Sequence, residues 1–424
     1  MIWQSQLAVP AHTRYTGLKP QNHRETGVRM NIVMFSESYL PYINGAVTHI
    51  AMLHDQLTAM GHQVYVVTVS DVAEVCLDGY IVRCPGHNFK SIYNYRMGIP
   101  CNPKLDRLIA SLQPDILHMH NEFSMGLAAV HLARKLELPL VYTLHSDYKR
   151  YISYLHLPHF ERQIERVSLH YLAYLARRAD TLISPSSKVR EYLPEERVGK
   201  RVTILPNAVD QKRFDRVLED HTICESNRRE LDLNPDCLAL VFLGRLGPEK
   251  SVLDLLDSFA QAPLRPDEAQ LFFIGDGPEK TALEAKISDL NLREQVHVLG
   301  SFPNSEIPAL LSAMDLYVSA SVSEMHAISL LEAAAAGLPA LVKLDPPNAW
   351  QIEEGKNGYT WTDTEDFVKK LSRHVQEAPA WRKALKQATL TYARAHGIEE
   401  QSAQLVEIYE ETIARYQSRS VVQE

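Results

Sequence analysis

Short apolar runs set apart by helix-length stretches constrain this 424-residue chain more than any other feature. The first series is Asn31–Phe35, Val64–Thr68, Ile116–Met119, Leu140–Leu144, Thr181–Ser184 and Val202–Leu205. The second is Ala239–Leu243, Leu271–Ile274, Val296–Leu299, Leu316–Ser319 and Ala340–Lys343. Runs this short and this apolar read as strands buried on both faces, because a helix needs about 10 residues or more. Helical patterns lie between them. In the first, Val47, Ile50, Ala51, Leu57 and Met60 point inward and Gly61 stops the helix. Alternation of this kind builds parallel sheets with helices on both faces, so the fold class is α/β and doubly wound.

The chain is too long for one ordinary core and divides into two such units. A Pro/Asn break at Leu205-Pro-Asn-Ala-Val-Asp210 separates residues 30–206 from residues 207–398. A last helix, roughly Glu399–Gln417, has no strand after it. Residues 1–29 are polar and lack the apolar segment of a signal peptide, so they are expected to be a disordered extension before a fold that begins at Met30. No apolar run reaches the roughly 18 residues of a spanning helix. The five cysteines are odd in number and show no Cys-x-x-Cys spacing, which argues against a zinc site or a disulfide framework and for a reducing cytoplasm. Charge is uneven: residues 1–206 balance to +5 and residues 207–424 to −13, giving the net −8. A positive first half suits an anionic surface or acceptor, although drift in composition produces the same split.

Two segments carry the chemistry. In Ser323-Glu-Met-His-Ala-Ile-Ser-Leu-Leu-Glu-Ala-Ala-Ala-Ala-Gly-Leu-Pro339, Glu324 and Glu332 stand eight residues apart. A helix starting near Ala327 leaves the N–H groups of Ile328 and Ser329 free for an anion. Glu324 then lies on the loop outside that anion, and Glu332 lies about one turn inside the helix. One carboxylate for sugar hydroxyls, bare amides for phosphate and a second carboxylate for ribose together suit a nucleoside diphosphate sugar. An Ala-rich helix with two incidental acids is the plain alternative. The upstream segment Phe242-Leu-Gly-Arg-Leu-Gly-Pro-Glu-Lys250 weighs against it, since Arg245 and Lys250 bracket a turn after a strand. Two fixed cations there stabilise a departing pyrophosphate more than the intact donor.

Together these segments resemble the retaining nucleotide-sugar glycosyltransferases of family 4. That resemblance implies the GT-B fold, two Rossmann-like doubly wound domains facing a cleft, with the last helix crossing back onto the first domain. It also implies roles for single residues. Gly45, in Ser36-Glu-Ser-Tyr-Leu-Pro-Tyr-Ile-Asn-Gly45, would approach the donor pyrophosphate. Arg245 and Lys250 would hold that pyrophosphate with Ile328 and Ser329, and Glu332 would hold the ribose. Glu324 and His145, at the tip of the fourth strand, would contact the sugar and form the catalytic pair. Ser301 and Phe302 would lie along the nucleobase. No metal or cofactor is expected, because the cations take the metal's place and the nucleotide sugar is a co-substrate. His118 and His120 alternate along a strand like metal ligands, but no carboxylate pair completes a site.

His120-Asn-Glu-Phe-Ser-Met-Gly126, Ala133-Arg-Lys-Leu136 and Tyr142-Thr-Leu-His-Ser-Asp-Tyr-Lys-Arg-Tyr-Ile-Ser-Tyr154 resemble the 1,2-diacylglycerol 3-glucosyltransferase branch, as does Asp345. Met325-His-Ala327 stands where many relatives have Gly-Phe-Gly, Ala208 where Gly is common, and Pro346-Pro347 where Gly-Gly is frequent. The branch implies hexose transfer, glucose first, from a UDP-sugar to a lipid such as diacylglycerol. It also implies an enzyme on the inner face of the cell membrane. Tyr148, Lys149, Arg150 and Tyr151 are the candidate membrane and acceptor residues, interleaving aromatic groups with cations as surface-bound helices do. A soluble or polysaccharide acceptor, a GT-B 2-epimerase and a non-catalytic binding relative are the alternatives. Nucleic acid is not among the expected partners.

Overall fold

The computed structural model describes residues 29–42, 44–89, 95–145 and 161–423. Among the described residues fifteen strands form two sheets. In the first domain these are β1 (Asn31–Phe35), β2 (Gln63–Ser70), β3 (Cys76–Asp78), β4 (Ile81–Phe89), β5 (Tyr95–Gly98), β6 (Ile116–Met119), β7 (Leu140–Thr143), β8 (Thr181–Ser184) and β9 (Val202–Ile204). Their order is β3-β4-β2-β1-β6-β7-β8-β9, with β5 paired to β4. The second domain holds β10 (Leu238–Leu243), β11 (Ala269–Ile274), β12 (Val296–Gly300), β13 (Leu316–Ser319), β14 (Ala340–Lys343) and β15 (Gly358–Trp361). Its order, β12-β11-β10-β13-β14-β15, is the 3-2-1-4-5-6 of a Rossmann sheet, and every pair in it is parallel.

Alternation along the central strands assigns each residue to a layer. Val33 and Phe35 enter one core with Leu117 and Met119, whereas Ile32 and Met34 enter another with Ile50, Leu53 and Leu57. The second domain repeats the division, with Ala239 and Val241 on one face and Leu240 and Phe242 on the other. Each large apolar side chain buried in this way contributes roughly 1.5–3 kcal/mol.

The sequence reading differs from the structure at the sheet margins and at one helix end. β3, β4, β5 and β15 were not expected. β4 contains Pro85-Gly86-His87-Asn88, which breaks the apolar pattern, and β15 is a four-residue edge strand of mixed polarity. Met60 is not inward: it caps the helix Gly45–Ala59 and is 39% exposed, because the chain leaves the helical path one residue before Gly61.

The last helix, Ile398–Gln423, packs on the first domain and is longer than expected. Its Leu405, Val406 and Tyr409 join the core of Ile32 and Met34. At the crossing, the Val209 N–H donates to the His396 carbonyl and the Ile398 N–H to the Val209 carbonyl, both at 3.0 Å. Among the described residues no helix is long and apolar enough to cross a membrane, and all five cysteines are free thiols.

Candidate active site

In a sheet of this order, the order of strands reverses between its first and fourth strands, and loops at that point open a crevice. In the second domain those loops follow β10 and β13. The β10 loop carries Arg245 and ends in a single tight turn, Pro248–Lys250. It lies against the β11 loop backbone to backbone: a Cβ on Gly275 would sit 1.8 Å from the Gly244 carbonyl oxygen. Arg245 bonds Glu249 within its own turn, Nε donating to Oε1 at 2.9 Å. The loops after β10 and β13 are joined. Ser323 Oγ donates to the Glu249 carbonyl at 2.6 Å, and Ser321 Oγ to Glu324 Oε1 at 3.0 Å. Lys250 Nζ donates to that same Glu324 oxygen.

Burial alone would raise the Glu324 carboxyl. The Lys250 charge, the bonds from Lys250 and Ser321 and the Lys188 charge outweigh it, leaving the pKa below the ordinary value. Glu332 is the opposite case. It is also buried, and burial pushes it up to about 7 against the pull of Arg213. The helix Ile328–Ala335 carries it, with the Ala327 N–H taken by Gln351 Oε1 at 3.1 Å. The Ile328 and Ser329 N–H groups have no acceptor among the described residues. Ser301 is exposed and Phe302 half-buried just after β12, where the Gly275 N–H reaches the Gly300 carbonyl at 2.8 Å.

The first domain meets this site directly. Gly45 opens the helix Gly45–Ala59, and a Cβ there would lie 3.9 Å from Ile328 Cδ1, so two helix starts face one another across the cleft. Lys188, in the loop after β8, reaches across. Its Nζ donates to the carbonyls of Val322 and Glu324, at 3.2 and 3.3 Å, and to Asp345 Oδ2 at 3.0 Å. Met325 packs into the first domain's core, and Asn207, at the boundary between the domains, donates from Nδ2 to the His326 carbonyl at 2.8 Å. Met325, in the segment that departs from Gly-Phe-Gly, therefore anchors its loop to the first domain.

His145 lies beyond β7 among other imidazoles. His120 Nδ1 is 2.9 Å from His145 Nε2, and the rings of His49 and His145 meet edge to face at 5.4 Å. Behind them His118 joins Tyr409 at 2.6 Å and Thr143 at 2.7 Å. Burial first, and then the neighbouring imidazoles, hold His120 and His145 well below the usual histidine range.

The structure thus gathers Gly45, Arg245, Lys250, Glu324, Ile328, Ser329 and Glu332 around one cleft, with His145 on its first-domain side and Ser301 and Phe302 along the β12 edge. Tyr148, Lys149, Arg150 and Tyr151 lie outside the described residues. Sequence reasoning missed Lys188, His49 and Gln401. Lys188 follows a strand, so the rule that drew attention to Gly45 and His145 would have reached it. Nothing local marks the other two.

The family model for glycosyltransferase family 4 matches residues 43–213, and that for glycosyl transferases group 1 matches residues 224–390. The chain belongs to glycosyltransferase family 4. It is a hexosyltransferase with the GT-B fold. It is 29% identical to the alpha-monoglucosyldiacylglycerol synthase of Acholeplasma laidlawii, over 82% of this chain and 89% of that protein. It is 28% identical to a GDP-mannose-dependent alpha-mannosyltransferase of Mycobacterium tuberculosis, over 74% of this chain and 79% of that one. Among solved structures, Anabaena HepE in complex with UDP and glucose superposes with a TM-score of 0.69 at 18% identity, covering 90% of this hexosyltransferase and all of that chain.

Proposed function

We propose that this family 4 enzyme moves glucose from UDP-glucose to the hydroxyl of a membrane lipid of the diacylglycerol class, with retention at the anomeric carbon and without a metal ion. The observation that carries the reading is the cleft itself. Paired cations, two unbonded helix amides and two carboxylates in opposite electrostatic settings converge there, in a chain 29% identical to an alpha-monoglucosyldiacylglycerol synthase.

In this reading Arg245, Lys250 and the Ile328 and Ser329 amides hold the pyrophosphate, with Gly45 approaching it from the first domain. The C1–O bond to the β-phosphate breaks and the acceptor oxygen bonds C1 on the same face. The acceptor's proton passes to the departing phosphate oxygen, and UDP leaves. Glu324, kept ionised by Lys250, orients the hexose hydroxyls together with His145, and Glu332 accepts from the ribose. Ser301 and Phe302 line the nucleobase. The exposed face of the helix Glu161–Arg178, with Arg166, Val167, Tyr174, Arg177 and Arg178, supports docking on an anionic lipid surface, because cations and apolar groups share it.

Incubation with UDP-glucose and diacylglycerol in phosphatidylglycerol vesicles should release UDP and give an α-linked glucolipid, with vesicle capture weakening as salt rises. A β-linked product would remove retention from the reading. Transfer from GDP-mannose in place of UDP-glucose would favour the donor class named for the mycobacterial relative.

A further inference from the structure

The imidazoles behind the cleft pack against one another, and the proton positions of three of them can be worked out from their hydrogen bonds and from what is buried. Gln401 Nε2 donates to the Pro206 carbonyl, which turns its Oε1 toward His49 Nε2 at 3.1 Å. His49 must then carry its proton on Nε2. Its Nδ1, buried without a partner, is a bare lone pair. His120 follows the same logic. Its Nε2 is also buried without a partner, and its Nδ1 lies 2.9 Å from His145 Nε2. A buried N–H with no acceptor is costlier and rarer than a buried acceptor with no donor. The proton of neutral His120 therefore belongs on Nδ1, donated to His145 Nε2. His145 Nε2 must be the acceptor, and the proton of His145 is displaced to Nδ1.

We propose that His120 is a positioning residue: it fixes His145 as the Nδ1–H tautomer, so that His145 offers the transferred hexose a hydrogen-bond donor rather than an acceptor. This rests on the reading in which His145 contacts the sugar. The depressed basicity of both rings agrees with a neutral pair. Both rings lie in a wider buried set through His118, whose centroid is 4.0 Å from that of His120 and whose Nδ1 meets Tyr409 on the last helix. Among the described residues no group of His, Cys, Asp or Glu is arranged to hold a metal ion. The consequence for specificity is that the sugar position facing His145 must present an oxygen able to accept.

The tautomer is read without substrate by nitrogen-15 NMR of histidine-labelled protein, with His145→Gln identifying the signals of His145. The expected spectrum shows His145 protonated on Nδ1 in the wild type. An Asn amide places an N–H where the His120 Nδ1–H stands, whereas Leu offers nothing and Asp only accepts. His120→Asn should keep kcat/KM within about threefold, and His120→Leu should lose about ten- to hundredfold, the range for an unsatisfied buried partner. His120→Asp should move the His145 proton to Nε2. A wild-type His145 protonated on Nε2, or equal activity in folded Asn and Leu variants, overturns the proposal. If no sugar transfer is found with any donor, the functional reading falls, while the tautomer assignment stands or falls on the spectrum alone.

Discussion

The two domains meet the cleft with opposite chemistry on similar scaffolding. On the second domain's side the groups are charged and paired: Arg245 with Glu249, Lys250 with Glu324. On the first domain's side His49, His118, His120 and His145 stand together, each held below its usual basicity by burial and, for all but His49, by neighbouring imidazoles. Oppositely charged partners let buried groups stay ionised, because each compensates the other's lost hydration. Imidazoles gathered with one another have no such compensation and shed their protons. In the proposed reading the charged side faces the departing pyrophosphate, and the hexose is held between ionised Glu324 and neutral His145.

Lys188 crosses this division, and removing it should have the largest effect. Its ion pair with Asp345 is buried on both sides, 3% and 2% exposed. Breaking such a pair from one side costs about 3–5 kcal/mol. Lys188→Met should lower unfolding stability by that order in denaturant titration, and Lys188→Met/Asp345→Asn should recover part of it. An unchanged midpoint for the single variant would show that the clasp carries little.

The charged face comes next. Arg245→Ala and Lys250→Ala should each lower kcat/KM by roughly ten- to hundredfold, since a charge-assisted contact contributes on the order of 1.5–3 kcal/mol. Lys250→Ala should also raise the pH needed for activity, because Glu324 loses the cation that holds its pKa down. Near-normal rates in both folded variants would remove the diphosphate site from the second domain.

Glu332 separates stability from function. Its folded pKa, about 7, lies above the ordinary value of 4.5, so folding disfavours its ionised form. The resulting loss of stability begins as pH rises past the unfolded value and is complete above about 7. Glu332→Gln should therefore raise stability at pH 8 by on the order of 1–3 kcal/mol, seen as a higher melting temperature, with little gain near pH 4.5. It should weaken donor binding at pH 8 as well. Equal melting shifts at both pH values would mean that Glu332 is not ionised by burial-opposed titration.

The smallest expected effect is none. If the cations replace a metal, EDTA should leave the rate unchanged; activity lost to EDTA and restored by magnesium or manganese would contradict the charge account.

Both central sheets were legible from short apolar runs, because a strand buried on both faces needs Val, Ile and Leu throughout and little else. Margins were harder to read. β4 passes through Pro85-Gly86 yet pairs with both β2 and β5, using neighbours that no local pattern announces. The charged site was visible for a related reason: Arg245, Lys250, Glu324 and Glu332 sit at fixed distances from strand ends, and strand ends are what periodicity locates. The imidazole set as a unit was not visible: His118, His120 and His145 stood out singly, but His49 and Gln401 did not. His49 and Gln401 are separated by 352 residues, and their contact exists only because the last helix returns to the first domain.

Local sequence determined the alternation of strand and helix, the division into two units and the residue types of the loops after β10 and β13, since each depends on periodicity or on spacing within one segment. Tertiary structure alone decided that Lys188 ties the Glu324 loop to the opposite domain, that Glu332 titrates near neutrality while Glu324 stays ionised, and that His120 stands behind His145. Those outcomes depend on which groups share a desolvated space, and desolvation is a property of the packed molecule rather than of any stretch of chain.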